Sequence, residues 1–262
     1  MRHSRVAKGF TLIELITVIV IVGVLAVIGT QFIVSSAESY DATQKRALLV
    51  NTGRQALERV TRELRGALPY SAVHLTSGAG ECIKFMPIAG DGHYQNPIVA
   101  GVSTTEVNTS FYRVDANQAR YVSIAALSSA ELTLSASSSL AALAVTMAPS
   151  ATSDSGDLAL AGTHMWLRNS ASQRFYLLDA PRAFCLLAGE LRYFSSVVVD
   201  EQTVPPAGGS TLIAHNVTGE GTGFTIGLDT VTNRSVVTLS LRFSRRGESV
   251  ALQQEVALRN VP

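Results

Sequence analysis

The chain has 262 residues, of which 47% are hydrophobic, and it carries 21 Lys and Arg against 20 Asp and Glu. This near balance, a formal net charge of +1, lacks the basic excess of nucleic-acid-binding proteins and argues against a nucleic-acid partner. About 190 residues follow Pro69, which is enough for one sizeable hydrophobic core.

The N-terminal end combines a short basic leader with a long apolar run. The leader, residues 1–9, has its positive charges at Arg2, Arg5 and Lys8. The run, residues 10–34, exceeds the roughly 20 apolar residues that cross a bilayer. Because basic residues before a span stay in the cytoplasm, we expect the remainder of the chain in the periplasm. Glu14 lies inside this run, and an acid in a membrane segment is costly enough to need a functional reason.

Two simpler interpretations compete for this N-terminal region. A secretory signal peptide would be cut near Ser35-Ser36-Ala37, but residues 10–34 are longer than the roughly 7–15 residues of a signal core. A plain membrane anchor fits the length, but it leaves Glu14 and the Gly9-Phe10 junction unexplained.

Residues 35–68 predict an amphipathic continuation of the same helix. Apolar or small residues recur every three or four positions, at Val50, Gly53, Leu57, Val60, Leu64 and Leu68. On the opposite side, Glu58–Arg62 and Arg59–Glu63 have the i,i+4 spacing of helical ion pairs. Gly66 and Pro69 then predict the end of the helix.

After Pro69 the pattern changes to the alternation that is typical of strands. The predicted strands are 81–88, 110–114, 120–124, 131–134, 165–168, 174–178, 183–187 and 191–194, then the clearest one at 237–243 and its return at 250–258. Ala188-Gly189 is expected to form a tight hairpin turn. Ser128–Asp157, rich in Ser and Ala, predicts a long connection or a weakly structured insertion, in which Leu140–Val145 would form a short helix.

These elements predict an α+β fold, in which one long N-terminal helix packs on an antiparallel β-sheet head. The C-terminal strand pair has one apolar and one polar face, as in a sheet that is covered on one side. The apolar face of the helix is the natural cover. The expected division of the chain is a leader at 1–9, a transmembrane half-helix at 10–34, an amphipathic half-helix at 35–68 and a periplasmic head at 69–262.

The head shows little catalytic chemistry. Cys82 and Cys185 are the two cysteines, and an oxidising compartment favours a disulfide between them over two buried free thiols. No Cys-x-x-Cys or Cys/His cluster indicates a metal site, and no motif indicates a cofactor. The histidines are scattered, at His74, His93, His164 and His215. We therefore expect a protein that is not an enzyme.

The segment from Gly9 to Leu15, Gly-Phe-Thr-Leu-Ile-Glu-Leu, closely resembles the class III signal of type IV prepilins and type II secretion pseudopilins. The resemblance implies cleavage by prepilin peptidase after Gly9, N-methylation of the new N-terminal Phe10, and a role for Glu14 in assembly. The freed amine of Phe10 would be cationic near neutral pH, so Glu14 of one subunit is expected to pair with it on a neighbour. Gln31 stands where many major pilins of the family have a proline.

The helix end at 57–69 resembles the large J- and W-type minor subunits. Together with the segments 28–36, 51–57, 81–88 and 184–194, it resembles minor pilins of the mannose-sensitive haemagglutinin (MSHA) pilus. This implies a minor pilin that takes part in assembling or priming a pilus. Its implied partners are prepilin peptidase, other major and minor pilins, the inner-membrane assembly platform and membrane lipid. Its implied location is the inner membrane, and then the pilus. The alternatives are a J-type minor pseudopilin of a type II secretion system and a membrane-anchored adhesin or ligand-binding module.

Overall fold

The structure is a computed structural model that describes residues 11–115, 117–153, 156–229 and 234–258. Helix α1 runs without interruption from Leu12 to Arg65. The chain forms two compact units, Met1–Leu48 and Leu49–Pro262, so α1 contributes residues to both.

In the first unit, the described residues of α1 begin with an apolar stretch that ends at Val34, and a polar stretch follows up to Leu48. One 18-residue window there has a mean hydropathy of 2.9, and none of it is buried. Large apolar side chains are exposed on all sides of the helix, as at Ile13, Val22 and Phe32. A helix that is apolar all round and of this length is able to cross a membrane.

In the second unit, the remainder of α1 is amphipathic, as its periodicity predicts. Its buried residues are Leu49, Gly53, Ala56, Leu57, Val60, Thr61 and Leu64. The helix then tightens, because the N–H of Gly66 donates to the carbonyl of Glu63 at 3.2 Å. Pro69 follows, where the chain cannot continue as a helix.

Strands make up most of the second unit. Among the described residues they are β1 Val73–Ser77, β2 Gly80–Phe85, β3 Ile88–His93, β4 Ser103–Thr109, β5 Tyr112–Val114, β6 Ala119–Ile124, β7 Ser137–Ser138, β8 Leu140–Met147, β9 Thr152–Ser153, β10 Gly156–Trp166, β11 Arg174–Leu178, β12 Arg182–Leu187, β13 Glu190–Phe194, β14 Ser210–His215, β15 Val217–Asp229, β16 Arg234–Arg245 and β17 Glu248–Ala257. A short 3₁₀ helix spans Ser129–Glu131.

The described strands form three sheets. The first has the order β1-β2-β12-β13-β14, and the third has the order β15-β16-β17. The second has the order β4-β10-β8-β6-β11-β3-β5-β9, with β7 added beside β10. All pairings are antiparallel except the two-residue β7–β10 pair. The α+β prediction of one long helix on antiparallel sheet is therefore confirmed, with three sheets where the sequence suggested one.

The largest core lies where α1 meets the first and third sheets. Leu57, Val60 and Leu64 of α1 share it with Phe184 of β12 and Phe243 of β16. A second core belongs to the second sheet and centres on Trp166, Phe175 and Leu177.

At Gly53, α1 packs tightly against the third sheet. A Cβ atom at this position would lie 2.4 Å from Leu252 Cδ1 and 3.0 Å from Phe243 Cε2. A glycine here therefore lets the helix backbone approach the sheet closely.

The predicted hairpin turn at Ala188-Gly189 is present, and a second two-residue turn joins β16 to β17. Ala188 and Gly189 join β12 to β13 with positive φ angles of 48° and 81°, and Arg246 and Gly247 join β16 to β17 with 47° and 86°. Positive φ at both central residues is the geometry that two-residue hairpins favour.

The prediction for Ser128–Asp157 was wrong. Leu140–Val145 lies in β8 rather than in a short helix, because Leu140, Ala141 and Leu143 are buried and β8 pairs with both β6 and β10. The predicted strand at 131–134 was also wrong, since Glu131 ends the 3₁₀ helix.

Candidate functional site

The candidate site begins at the start of α1, where Thr11 precedes the first helical residue, Leu12. The backbone N–H of Glu14 donates to Thr11 Oγ1 at 3.4 Å, and the backbone N–H of Thr11 donates to Glu14 Oε2, also at 3.4 Å. This reciprocal pattern is a capping box, which satisfies two donors that a helix start otherwise leaves unpaired. Thr17 adds a bond from its hydroxyl to the Glu14 carbonyl at 2.9 Å.

Glu14 is the only ionisable residue between Thr11 and Val34. Its neighbours Ile13 and Leu15 are exposed apolar side chains, 66% and 57% accessible. The carboxylate therefore stands alone in an apolar surface, and the cap and the positive end of the helix dipole are its local stabilisation.

Gly9 and Phe10, the predicted cleavage and methylation positions, lie outside the described residues. Cleavage after Gly9 and N-methylation of Phe10 stay predictions.

Cys82 of β2 and Cys185 of β12 face each other directly in the antiparallel register of the first sheet. The two residues form a disulfide bond, with their sulfur atoms 2.04 Å apart. Both residues are fully buried, in an apolar cluster with Leu75, Ala183 and Phe194.

A polar junction ties the end of α1 to β12. Arg182 Nη1 donates to Glu63 Oε2 at 2.7 Å, and Nη2 donates to Asp179 Oδ2 at 3.1 Å and to Asn117 Oδ1 at 2.7 Å. Burial is the largest single influence on the pKa of the Arg182 guanidinium and lowers it, but the hydrogen bonds to Glu63 and Asp179 and the charges of Tyr193 and Glu63 together outweigh burial, so the pKa is raised.

The two i,i+4 ion pairs predicted along α1 do not form in the structure. Glu63 bonds Arg182 instead of Arg59, because a half-buried guanidinium on β12 offers a better-desolvated partner than a solvated side chain on the same helix. Arg59 lies over the ring of Tyr193, 5.3 Å from its centroid, which is a cation–π distance.

A second ion pair anchors the 3₁₀ helix to the end of β10. Arg168 donates to Glu131 from both terminal nitrogens, at 2.5 Å and 2.9 Å. This bidentate hydrogen bonding lowers the pKa of Glu131 to about 2. The carboxylate also accepts bonds from the Leu127 N–H and the Ser139 hydroxyl, both at 3.1 Å.

The histidines of the head do not converge. His74 lies 3.0 Å from Glu81, and His215 lies 3.1 Å from Glu190. His164 is buried against the Ser138 carbonyl at 3.1 Å, and its burial lowers its pKa. Across the part of the chain that the structure describes, no three His, Cys, Asp or Glu side chains are grouped to hold a metal ion.

Comparison with protein-family models gives a match to the prokaryotic N-terminal methylation motif at residues 4–30. The chain carries a type IV pilin-like methylation signal. The matched segment includes Gly9, Phe10 and Glu14, and it ends before the amphipathic half of α1. Neither the curated proteins nor the solved structures contain a match to this chain.

Sequence reasoning missed the capping box, although its signal was available. Thr11-Leu12-Ile13-Glu14 has the Thr-x-x-Glu spacing that marks a helix start before an apolar run. The motif thus has a second, structural use for Glu14 that its resemblance to prepilin signals does not state.

Proposed function

We propose that this chain is a non-enzymatic minor pilin, which takes part in assembling or priming a type IV pilus after cleavage by prepilin peptidase. The observation that carries the proposal is the N-terminal methylation motif at residues 4–30. It is supported by α1, which joins an exposed apolar half to an amphipathic half packed on antiparallel sheets.

In this proposal the precursor sits in the inner membrane with its basic leader in the cytoplasm and its head in the periplasm. Peptidase cleavage after Gly9 frees Phe10, which is then N-methylated. The mature subunit leaves the bilayer and joins other major and minor pilins at the inner-membrane assembly platform.

Glu14 has two successive tasks in the proposal. In the membrane, the capping box with Thr11 keeps the carboxylate hydrogen-bonded. During assembly, the carboxylate pairs with the α-ammonium group of Phe10 on a neighbouring subunit, whose ordinary pKa is about 8. In a low-dielectric surrounding either charge alone is poorly solvated, so subunits with a matching partner are selected.

Glu14→Gln separates these two tasks, because the amide oxygen still accepts the Thr11 N–H while the charge is gone. We expect the full-length Gln variant to insert into the membrane normally. Its amount in the sheared pilus fraction should fall by about tenfold or more, since losing a desolvated charge pair costs more than 1.4 kcal/mol. Immunoblots of membrane and pilus fractions measure both quantities.

Thr11→Ala is the matched control. It removes the cap hydroxyl, at a cost of about 1 kcal/mol, but keeps the charge of Glu14. This variant should still enter the pilus. Wild-type incorporation of Glu14→Gln together with loss of Thr11→Ala would reduce the role of Glu14 to capping and contradict the proposal.

We place the subunit in an MSHA-like pilus. The supporting resemblance lies in the segments 28–36, 51–57 and 57–69 along α1 and its end, and in the segments 81–88 and 184–194, which contribute to β2, β12 and β13 of the first sheet. A J-type minor pseudopilin of a type II secretion system is equally compatible with the methylation motif. Deleting the gene separates the two, because it reduces surface pili in one case and protein secretion in the other. A membrane-anchored adhesin would leave both intact.

A further inference from the structure

The outer side of α1 in the second unit carries a groove, here called the arginine groove. It is lined by Arg54, Leu57, Glu58, Thr61, Arg62 and Arg65 of α1 and by Gln254 of β17, and its volume is about 540 Å³. The helix residues recur at steps of three and four, so they form one stripe. β17 is an edge strand of the third sheet among the described strands.

The groove has an uncompensated positive charge. Arg54, Arg62 and Arg65 are exposed, and none of them forms an ion pair with any residue that the structure describes. Glu58 lies one helical turn from both Arg54 and Arg62, yet its carboxylate bonds neither. Three cations and one anion therefore share this stripe.

Three arginines of the head behave differently. Arg168, Arg182 and Arg192 each donate to a carboxylate within 3 Å. The negative end of the helix dipole would favour Arg62 and Arg65 near the last turn, but its effect is confined to that turn and does not extend to Arg54.

Thr61 adds an independent observation inside the groove. The residue is only 8% exposed, and its hydroxyl Oγ1 has no hydrogen-bond partner among the described residues. A buried hydroxyl without a partner is unfavourable, and a polar group entering the groove would relieve it. A buried hydroxyl without a partner and three exposed positive charges thus lie on the same face of the helix.

We propose that the arginine groove binds an acidic peptide segment of another protein subunit, whose carboxylates pair with Arg54, Arg62 and Arg65. Planar guanidinium groups bind carboxylates through two parallel hydrogen bonds, which suits a segment lying along the stripe. The proposal rests on the proposed function for the identity of the partner as a pilin-like subunit. The groove itself belongs to the second unit and does not depend on Gly9, Phe10 or Glu14.

The direct test is binding of a fluorescent hexaglutamate peptide to the full-length protein in detergent. We expect salt-dependent binding, which the double variant Arg54→Glu, Arg62→Glu weakens by about tenfold because two attractions become repulsions. The matched control is Arg245→Glu, Arg246→Glu in the β16–β17 turn, which makes the same charge change on a different surface. If both double variants weakened peptide binding equally, the effect would be one of overall charge, and this would contradict peptide binding in the arginine groove.

Thr61→Val provides a second variant that does not alter charge and keeps the side-chain shape. It should leave the thermal midpoint of the protein unchanged or higher and weaken peptide binding by about twofold to fivefold. Unchanged peptide affinity would overturn the role assigned to the Thr61 hydroxyl.

The occupant in cells is identified with a photo-crosslinking amino acid at Gln254 of the full-length chain. The expected adduct is a Glu- or Asp-rich peptide of a different subunit, lost in the Arg54→Glu, Arg62→Glu background. Adducts to a second copy of this chain, to lipid, or to nothing would overturn the proposed occupant. The peptide titration is independent of processing, so failure of the pilin proposal would leave it unaffected.

Discussion

Helix α1 is continuous, but its two parts lie in different environments. Within Leu12–Val34 large apolar side chains are exposed around the helix, whereas from Leu49 to Arg65 the apolar side chains are buried on one face. The backbone is helical in both parts, so the difference lies in what the side chains require. The second half already has its cover in the first and third sheets, while the first half exposes apolar surface that lipid or other apolar helices must cover.

One of the two largest expected effects concerns the disulfide, which belongs to the head alone. Replacing both Cys82 and Cys185 by Ala removes a link between residues 103 positions apart, and should lower the free energy of unfolding by about 2–5 kcal/mol. Urea unfolding followed by fluorescence of Trp166, the only tryptophan, measures this. The helical circular dichroism signal that the first half of α1 contributes in detergent should persist in this variant.

Peptide mapping without reductant checks the bond itself. Recovery of Cys82 and Cys185 as free thiols from protein isolated from cells, or unchanged stability of the double variant, would contradict this account of the head.

The next effect distinguishes the two halves of α1 directly. Leu64 is fully buried and Leu25 is 62% exposed. Leu64→Ala should destabilise the head by about 2–5 kcal/mol, through lost burial and the cavity left behind. The thermal midpoint should then fall by roughly 5–15 °C. Leu25→Ala should leave the midpoint unchanged, and equal shifts for both variants would remove the distinction between the halves.

The smallest effect is a pH dependence inside the second unit. Because Arg168 holds the pKa of Glu131 at about 2, below its ordinary 4.5, the pair stabilises the folded state above pH 4.5. That stabilisation is lost as the pH falls from 4.5 towards 2, since the unfolded carboxyl takes up its proton first. We expect a contribution on the order of 1 kcal/mol, because Arg168 is partly solvated.

Glu131→Gln tests this pH dependence. The difference in unfolding free energy between pH 7 and pH 3 should be smaller in the variant than in the parent chain. An unchanged difference would show that the Glu131–Arg168 pair adds nothing measurable.

The sequence predicted those parts of the fold that local patterns determine. The helical periodicity of α1, the alternation in β16 and the two-residue turn at Ala188-Gly189 all depend on neighbouring residues. The strand β8 was missed because its small Ala side chains give little alternation, and its pairing with β6 and β10 is a tertiary effect.

The polar contacts likewise could be predicted only where they are local in sequence. Glu63 bonds Arg182, which is 119 positions away, and no periodicity in α1 indicates such a partner. The capping box of Thr11 and Glu14 is local and was readable from the sequence. The arginine groove could be identified only from the structure, because only the fold shows which arginines have no carboxylate partner.

The central claim is that the first half of α1 is a processed, pilin-like assembly helix, and the mature N-terminus tests it most directly. Intact-mass and N-terminal peptide analysis of the chain from peptidase-positive cells should find a protein that begins at N-methylated Phe10. A chain that begins only at Met1, or one cut near Ser35-Ser36-Ala37 as a secretory signal would be, would contradict the claim.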